Sequence, residues 1–271
     1  MSFFDMVKEY FGWTNLREPE GWFSAAHLIY VTLMIGATVF LAVWLGLRLK
    51  DKDLRSKTKV LKVAAILMIS FELLKIVIFC IQDHSISTVR SNLPLWLCSI
   101  TLFSMPIAAF GKGRAREGAS DFTFCFGMLC ALAGTYLAGN YFGGSPVLSF
   151  SVNVSVTTHC ISGFSALFIG VAGLWSLKKK NLWFSYAILG GFEALALLVD
   201  CVNKPYQSNY MFFRESDGTP FSIVESIVRG NQIGYTVFVM ALYFIYLTLY
   251  IGIALLCRRA AENRRAAATA T

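Results

Sequence analysis

Long apolar runs separated by short charged segments set the pattern of this chain. Residues 23–47, 60–82, 94–111, 121–141, 151–176, 182–202 and 231–257 are predominantly apolar. A hydrocarbon core about 30 Å thick calls for roughly 20 such residues per helix. The pattern therefore predicts an all-α, polytopic bundle of seven transmembrane helices, with little chain left for a soluble domain. Residues 1–22 differ: Phe3, Phe4, Met6, Val7, Tyr10, Phe11 and Trp13 are interspersed with acids and a lysine, as in an interfacial amphipathic helix. This segment has neither the basic n-region nor the cleavage site of a secretory signal. Between the sixth and seventh runs, "NKPYQSNYMFFRESDGTPFSIVESIVRG" carries enough aromatics and prolines to predict a structured lid or re-entrant piece. No internal repeat of the kind used by inverted-repeat transporters stands out.

Composition agrees with the pattern, since 56% of the 271 residues are hydrophobic and 15% aromatic, which excludes an ordinary soluble domain. The net charge of +8 would suggest nucleic acid if it were spread over one face. Instead it alternates between connections. "RLKDKDLRSKTKVLK" holds seven Lys and Arg, "GKGRAR" and "KKK" three each, and the tail "RRAAENRR" four, while the intervening connections hold few. The positive-inside rule then predicts an outside N-terminus, a cytoplasmic C-terminus ending in a basic tail over 258–271, and a multi-pass protein of the cell membrane. The charge reads as topology, so no nucleic-acid partner is expected. All seven cysteines lie in or at the edges of apolar runs without metal-type spacing, so neither a disulfide framework nor a metal site is expected.

Ionisable groups at membrane depth usually face a bundle interior or a wet cavity. Ranked by depth, His27, Glu72, Lys75, Cys98, His159, Glu193 and Asp200 fall toward the outer half, as do Thr135, Tyr136 and Asn140 at the end of span four and Asn231, Gln232 and Tyr235 at the start of span seven. This bias predicts a polar cavity there. Glu72 and Lys75 are i, i+3 on one helix and can neutralise each other. Glu193 and Asp200 share a face and need partners such as Lys75 or a histidine. His159 sits in "SVTTHCISGFSA", where Ser155, Thr157, Thr158, Ser162 and Ser165 are placed to line a wet pocket. Among the cysteines, Cys98 has the best case for reactivity, one turn after Pro94 at a helix N-terminus whose dipole favours an anion. Cys80, Cys125, Cys130 and Cys257 read as packing, and Cys160 points about 100° away from His159. Candidate substrate contacts are His27, Glu72, Lys75, Trp96, Glu193, Asn203, Asn209 and Tyr210.

"LPLWLCSI", "THCISGFSALFIGVAGL" and "NKPYQSNYMFF…GTPF", with the span-one histidine and "ELLK" in span two, resemble in order the YwaF-like family of bacterial integral membrane proteins over nearly the whole chain. That family is distantly similar to a vertebrate transmembrane phospholipid acyltransferase that moves acyl chains through a cysteine in a proline-containing span-three motif. The resemblance implies a motif at residues 94–98 with His159 as base. The chain departs from it in two places. Trp96 stands where the family commonly has histidine, and the vertebrate cysteine directly follows the proline, a place held here by Leu95.

The expected function is therefore a lipid acyltransferase or hydrolase acting on membrane phospholipid from the outer leaflet, with Cys98 as nucleophile, His159 as base and no cofactor. One alternative is a binding or transport protein for a small polar or amphipathic solute that uses the charges of Glu72, Lys75, Glu193 and Asp200. The other is a non-catalytic membrane scaffold.

Overall fold

The computed structural model describes residues 2–14, 17–202 and 208–269. They form helices α1 (Phe3–Tyr10), α2 (Ala25–Leu49), α3 (Leu54–Gln82), α4 (Thr88–Ser91), α5 (Ile100–Phe110), α6 (Gly113–Tyr136), α7 (Gly139–Gly144), α8 (Phe150–Val171), α9 (Lys179–Val202), α10 (Ser222–Val228) and α11 (Gln232–Thr269). Among the described residues there is no strand. Six helices among the described residues, built on α2, α3, α6, α8, α9 and α11, are long and apolar enough to cross a membrane.

The third apolar run departs from the expected span. Helical structure there covers only Leu97–Phe110, a 3₁₀ turn over Leu97–Ser99 running into α5. At about 1.5 Å per residue this is roughly 21 Å, short of a 30 Å core. The chain from Leu93 to Trp96 lies outside the helix, so Pro94 does not open one. Helix ends also outrun the apolar runs. α3, α6 and α9 start inside basic connections, and α11 continues through "RRAAENRR". Apolarity marks the bilayer, whereas Lys, Arg, Glu and Ala extend helices beyond it.

α8 is the central element, packed against α6, α2 and α3, with buried positions around most of its circumference. Small residues let α6 and α8 approach closely; a Cβ at Gly163 would lie 2.6 Å from the Ala131 methyl. Three apolar clusters follow. Phe122, Phe126, Tyr210, Met211 and Tyr243 join α6, α9, α11 and the chain before α10. Leu61, Met68, Met105 and Phe168 join α3, α5 and α8. Val31, Phe142, Val152 and Val156 join α2, α7 and α8. Outward-facing Leu33, Phe40, Leu198 and Ile253 are exposed, as a lipid-facing surface requires.

The N-terminal helix is shorter than the 1–22 segment. Ser2 and Asp5 form a capping box, and at the other end of the helix Tyr10 and Phe11 dock on Phe150, with centroids 6.1 and 5.1 Å away. The described part of the 203–230 connection is ordered into the bundle. Tyr210–Phe212 make a 3₁₀ turn with Met211 and Phe212 at φ 55° and 58°, a costly conformation for non-glycine residues. It is held by Tyr243, whose hydroxyl donates to the Met211 carbonyl at 2.9 Å, and by burial of Tyr210, Met211 and Phe213.

Candidate functional site

The 3₁₀ turn places Cys98 half-buried at the mouth of α5. Its carbonyl accepts from Thr101 Oγ1 at 3.0 Å, and the neighbouring Leu97 carbonyl accepts from Cys130 Sγ at 3.6 Å. The segment before it is pinned by Tyr210, whose hydroxyl donates to the Arg90 carbonyl at 2.7 Å and accepts from Leu93 N–H at 3.2 Å. Burial pushes this hydroxyl up to about 12, partly opposed by the Leu93 N–H, so it remains a neutral donor at ordinary pH. Trp96 packs between Tyr210 and Phe212, at 5.7 and 5.4 Å.

From α8, the buried His159 side chain comes close enough to the Cys98 thiol for each to act on the other's charge. Its Nδ1–H donates to the Ser155 carbonyl one turn earlier, at 2.6 Å. A carbonyl can only accept, so Nδ1 carries hydrogen and Nε2 is the ring nitrogen left for the thiol. The ring lies against the bare α-carbon of Gly134 on α6, in space that a Cβ would occupy. A thiol beside an imidazole that a third group orients is an arrangement that thiol-based covalent catalysis can use.

Glu72 and Lys75 complete the polar cluster. They form the predicted i, i+3 ion pair at 2.5 Å, nearly buried on α3. Both act electrostatically on Cys98, as does Tyr141 of α7 on both the thiol and Lys75. Tyr141 was absent from the sequence candidates. It lies on a six-residue helix at the end of the fourth apolar run, and no periodicity points it at the thiol. Gly134 was missed as well, because a glycine in an apolar helix carries no signal of what fills the space beside it.

The other candidates are placed elsewhere. His27 is fully buried; Phe23 N–H donates to its Nδ1 and its Nε2–H donates to the Thr135 carbonyl, both at 3.0 Å. Both ring nitrogens are thus spent tying the start of α2 to the end of α6. Asn209 folds its own loop, accepting from Arg214 and Glu215 N–H and donating to the Glu215 carbonyl. Asn203 lies outside the described residues. Thr158, Ser162 and Ser165 donate to the carbonyls of Ser155, Gly127 and Ile161, so these hydroxyls are satisfied by backbone rather than offered to a wet pocket. Neither acid of α9 meets Lys75. Asp200 accepts from Tyr210 N–H at 3.4 Å, and fully buried Glu193 has no hydrogen-bond partner for either oxygen. Among the described residues no group of three His, Cys, Asp or Glu is arranged to hold a metal ion.

Comparison with known proteins gives one positive result. The model of the TMEM164 family matches residues 22–258, which takes in every described element from α2 to α10 and most of α11. No curated protein and no solved structure matches significantly. With the match spanning the helical bundle, its six candidate membrane helices and the Cys98–His159 contact, the chain belongs to the TMEM164 family of membrane proteins.

Proposed function

We propose that this protein transfers acyl chains between lipids through a thioester at Cys98, in the outer half of the cell membrane, with the N-terminus outside and the C-terminus cytoplasmic. One observation supports the reading: the Cys98 thiol lies beside His159, whose ring is fixed by the Ser155 carbonyl. In the first half-reaction Nε2 takes the thiol proton and the sulfur attacks the ester carbonyl of a phospholipid. The carbon–oxygen bond breaks, and His159 returns the proton to the departing lyso-lipid hydroxyl. In the second, an acceptor hydroxyl loses its proton to His159, attacks the thioester and regenerates the thiol. Water as acceptor would make the same site a hydrolase. Lys75 and Tyr141, both in electrostatic range of the thiol, are the groups assigned to the charge developing on the carbonyl oxygen. Trp96 is assigned to shaping the lipid site.

The test incubates purified protein in nanodiscs with labelled phospholipid and a lyso-acceptor. Acyl transfer is expected in the wild type and loss of at least about a hundredfold in Cys98→Ala and His159→Ala. Transfer unchanged in both variants removes the assignment.

A second reading, a binding or transport protein for a cationic or amphipathic solute, is favoured by the Glu193 carboxyl, which is fully buried without a hydrogen-bond partner. Solute binding abolished by Glu193→Gln and indifferent to Cys98→Ala would select it.

A further inference from the structure

The four basic connections meet at the end of the bundle away from Cys98. Lys57 donates to the Ala172 carbonyl at 2.7 Å, Lys178 pairs with Glu117 at 3.3 Å, and Arg258 donates to the Ser176 carbonyl at 2.7 Å. Buried Asp121 holds the chain between α8 and α9 in place, accepting from Ser176 N–H at 2.6 Å and Leu177 N–H at 3.0 Å. These contacts frame a cavity of about 680 Å³, within the range of small-molecule sites. It is reached at Ser120 of α6, whereas His159 rests on Gly134 of the same helix. Fourteen residues at about 1.5 Å each separate the two positions by roughly 21 Å. This is a second place in the molecule, independent of any chemistry at the thiol.

Its charge is unbalanced. Of the three cations lining it, Lys178 is neutralised by Glu117. Arg116 has its Nε–H anchored on the Gly111 carbonyl at 2.8 Å. Arg258 is anchored on Ser176 and lies over the Trp175 ring at 5.6 Å, with Glu262 no closer than 3.8 Å in an exposed pair. Two half-buried guanidinium groups, each held by a backbone carbonyl, thus line one cavity, whose one lining carboxylate, Glu117, is engaged by Lys178. The opposite wall is apolar, formed by Leu61, Ala108 and Leu174. Planar guanidinium forks match phosphate oxygens, and basic pockets between membrane helices suit anionic lipid head groups.

We propose that this cavity binds a phosphate ester, with Arg116 and Arg258 on the phosphate and the Trp175–Leu174 wall against the body it carries. The phosphate comes either from an anionic phospholipid of the leaflet at this end or from a soluble phosphate compound.

The test measures the ligand-induced shift in melting midpoint of the full-length protein, each variant against its own ligand-free value. One arm compares phosphatidylcholine nanodiscs with nanodiscs containing phosphatidylglycerol. The other adds inorganic phosphate against chloride at equal ionic strength. A stabilising shift is expected in at least one arm, with apparent affinity about tenfold weaker in Arg116→Gln and in Arg258→Gln. Arg48→Gln, which removes a cation that instead lies over Trp44, should leave it unchanged. Arg258→Lys separates the loss of charge from the loss of the Ser176 contact, and Arg116→Gln leaves that contact intact. A shift in the phosphatidylglycerol arm identifies the lipid source, and one confined to the phosphate arm identifies the soluble source. No shift in either arm, or equal shifts in all variants, overturns the proposal.

Discussion

His159 of α8 fits against Gly134 of α6, its imidazole filling the volume that any other residue's Cβ would take. The contact joins the two helices that pack most extensively in the bundle and fixes the side of the ring opposite its Ser155 anchor. Gly134→Ala is accordingly expected to tilt the ring away from Cys98. The over-packing cost is about 1–3 kcal/mol, against the roughly 1 kcal/mol that alanine normally gains over glycine within a helix. Melting temperature together with acyl transfer checks this: a small fall in the first and a large fall in the second is the expected pair.

Tyr210→Phe removes a hydroxyl that links Arg90, Leu93 and the loop before α10. The Leu93 N–H then loses its acceptor, at a cost of about 1–3 kcal/mol if it stays buried. The turn bearing Cys98 loosens with it, so alkylation of Cys98 by iodoacetamide should speed up. Peptide mapping distinguishes this thiol from exposed Cys201 and Cys257.

Glu193→Met should stabilise the fold by about 1–3 kcal/mol, because the carboxyl is buried without a hydrogen-bond partner and methionine fills similar space without the polar penalty. Denaturation in mild detergent measures it. Destabilisation instead would mean that the carboxyl has a favourable partner in the working protein.

Glu20 offers a pH test outside the spans. Burial pushes its carboxyl up, but the Val147 N–H at 2.8 Å, its own backbone N–H and Arg17 outweigh this and hold it below the ordinary 4.5. A carboxylate with a depressed folded-state pKa contributes stability above its unfolded value and loses it as pH falls through the folded value. Wild type should therefore melt above Glu20→Gln at pH 7, and the gap should narrow as the pH is taken below about 4. A gap independent of pH would assign the effect to packing.

Much of this architecture could be read directly from the chain. Six of the seven apolar runs became helices long enough to cross a membrane, because 20-residue apolarity leaves a bilayer-spanning chain few other structures. The Glu72–Lys75 pair followed from i, i+3 spacing, and Cys98 and His159 lie near each other on two runs expected to enter the bundle at the same end. What escaped was set by tertiary packing. His27 looked available because its spacing carries no sign of the Phe23 N–H and Thr135 carbonyl that occupy it. Thr158, Ser162 and Ser165 of α8 looked like pocket lining, but their hydroxyls turn onto helix carbonyls. The shortness of the third helix was hidden because "NLPLW" is as apolar as a helix but is held by Tyr210, more than a hundred residues away in the chain.

That short helix has a mechanical consequence. Where a protein's hydrophobic height falls below that of the surrounding bilayer, the lipid thins to meet it. Along Leu97–Phe110, at roughly 21 Å against 30 Å, the helix stops short at the Cys98 end, where the non-helical chain from Leu93 to Trp96 takes over. On the proposed acyl-transfer reading, a bilayer thinned on that side brings the glycerol ester region of its lipids nearer the thiol, so a lipid need not be lifted out of its leaflet for its ester to come level with the sulfur.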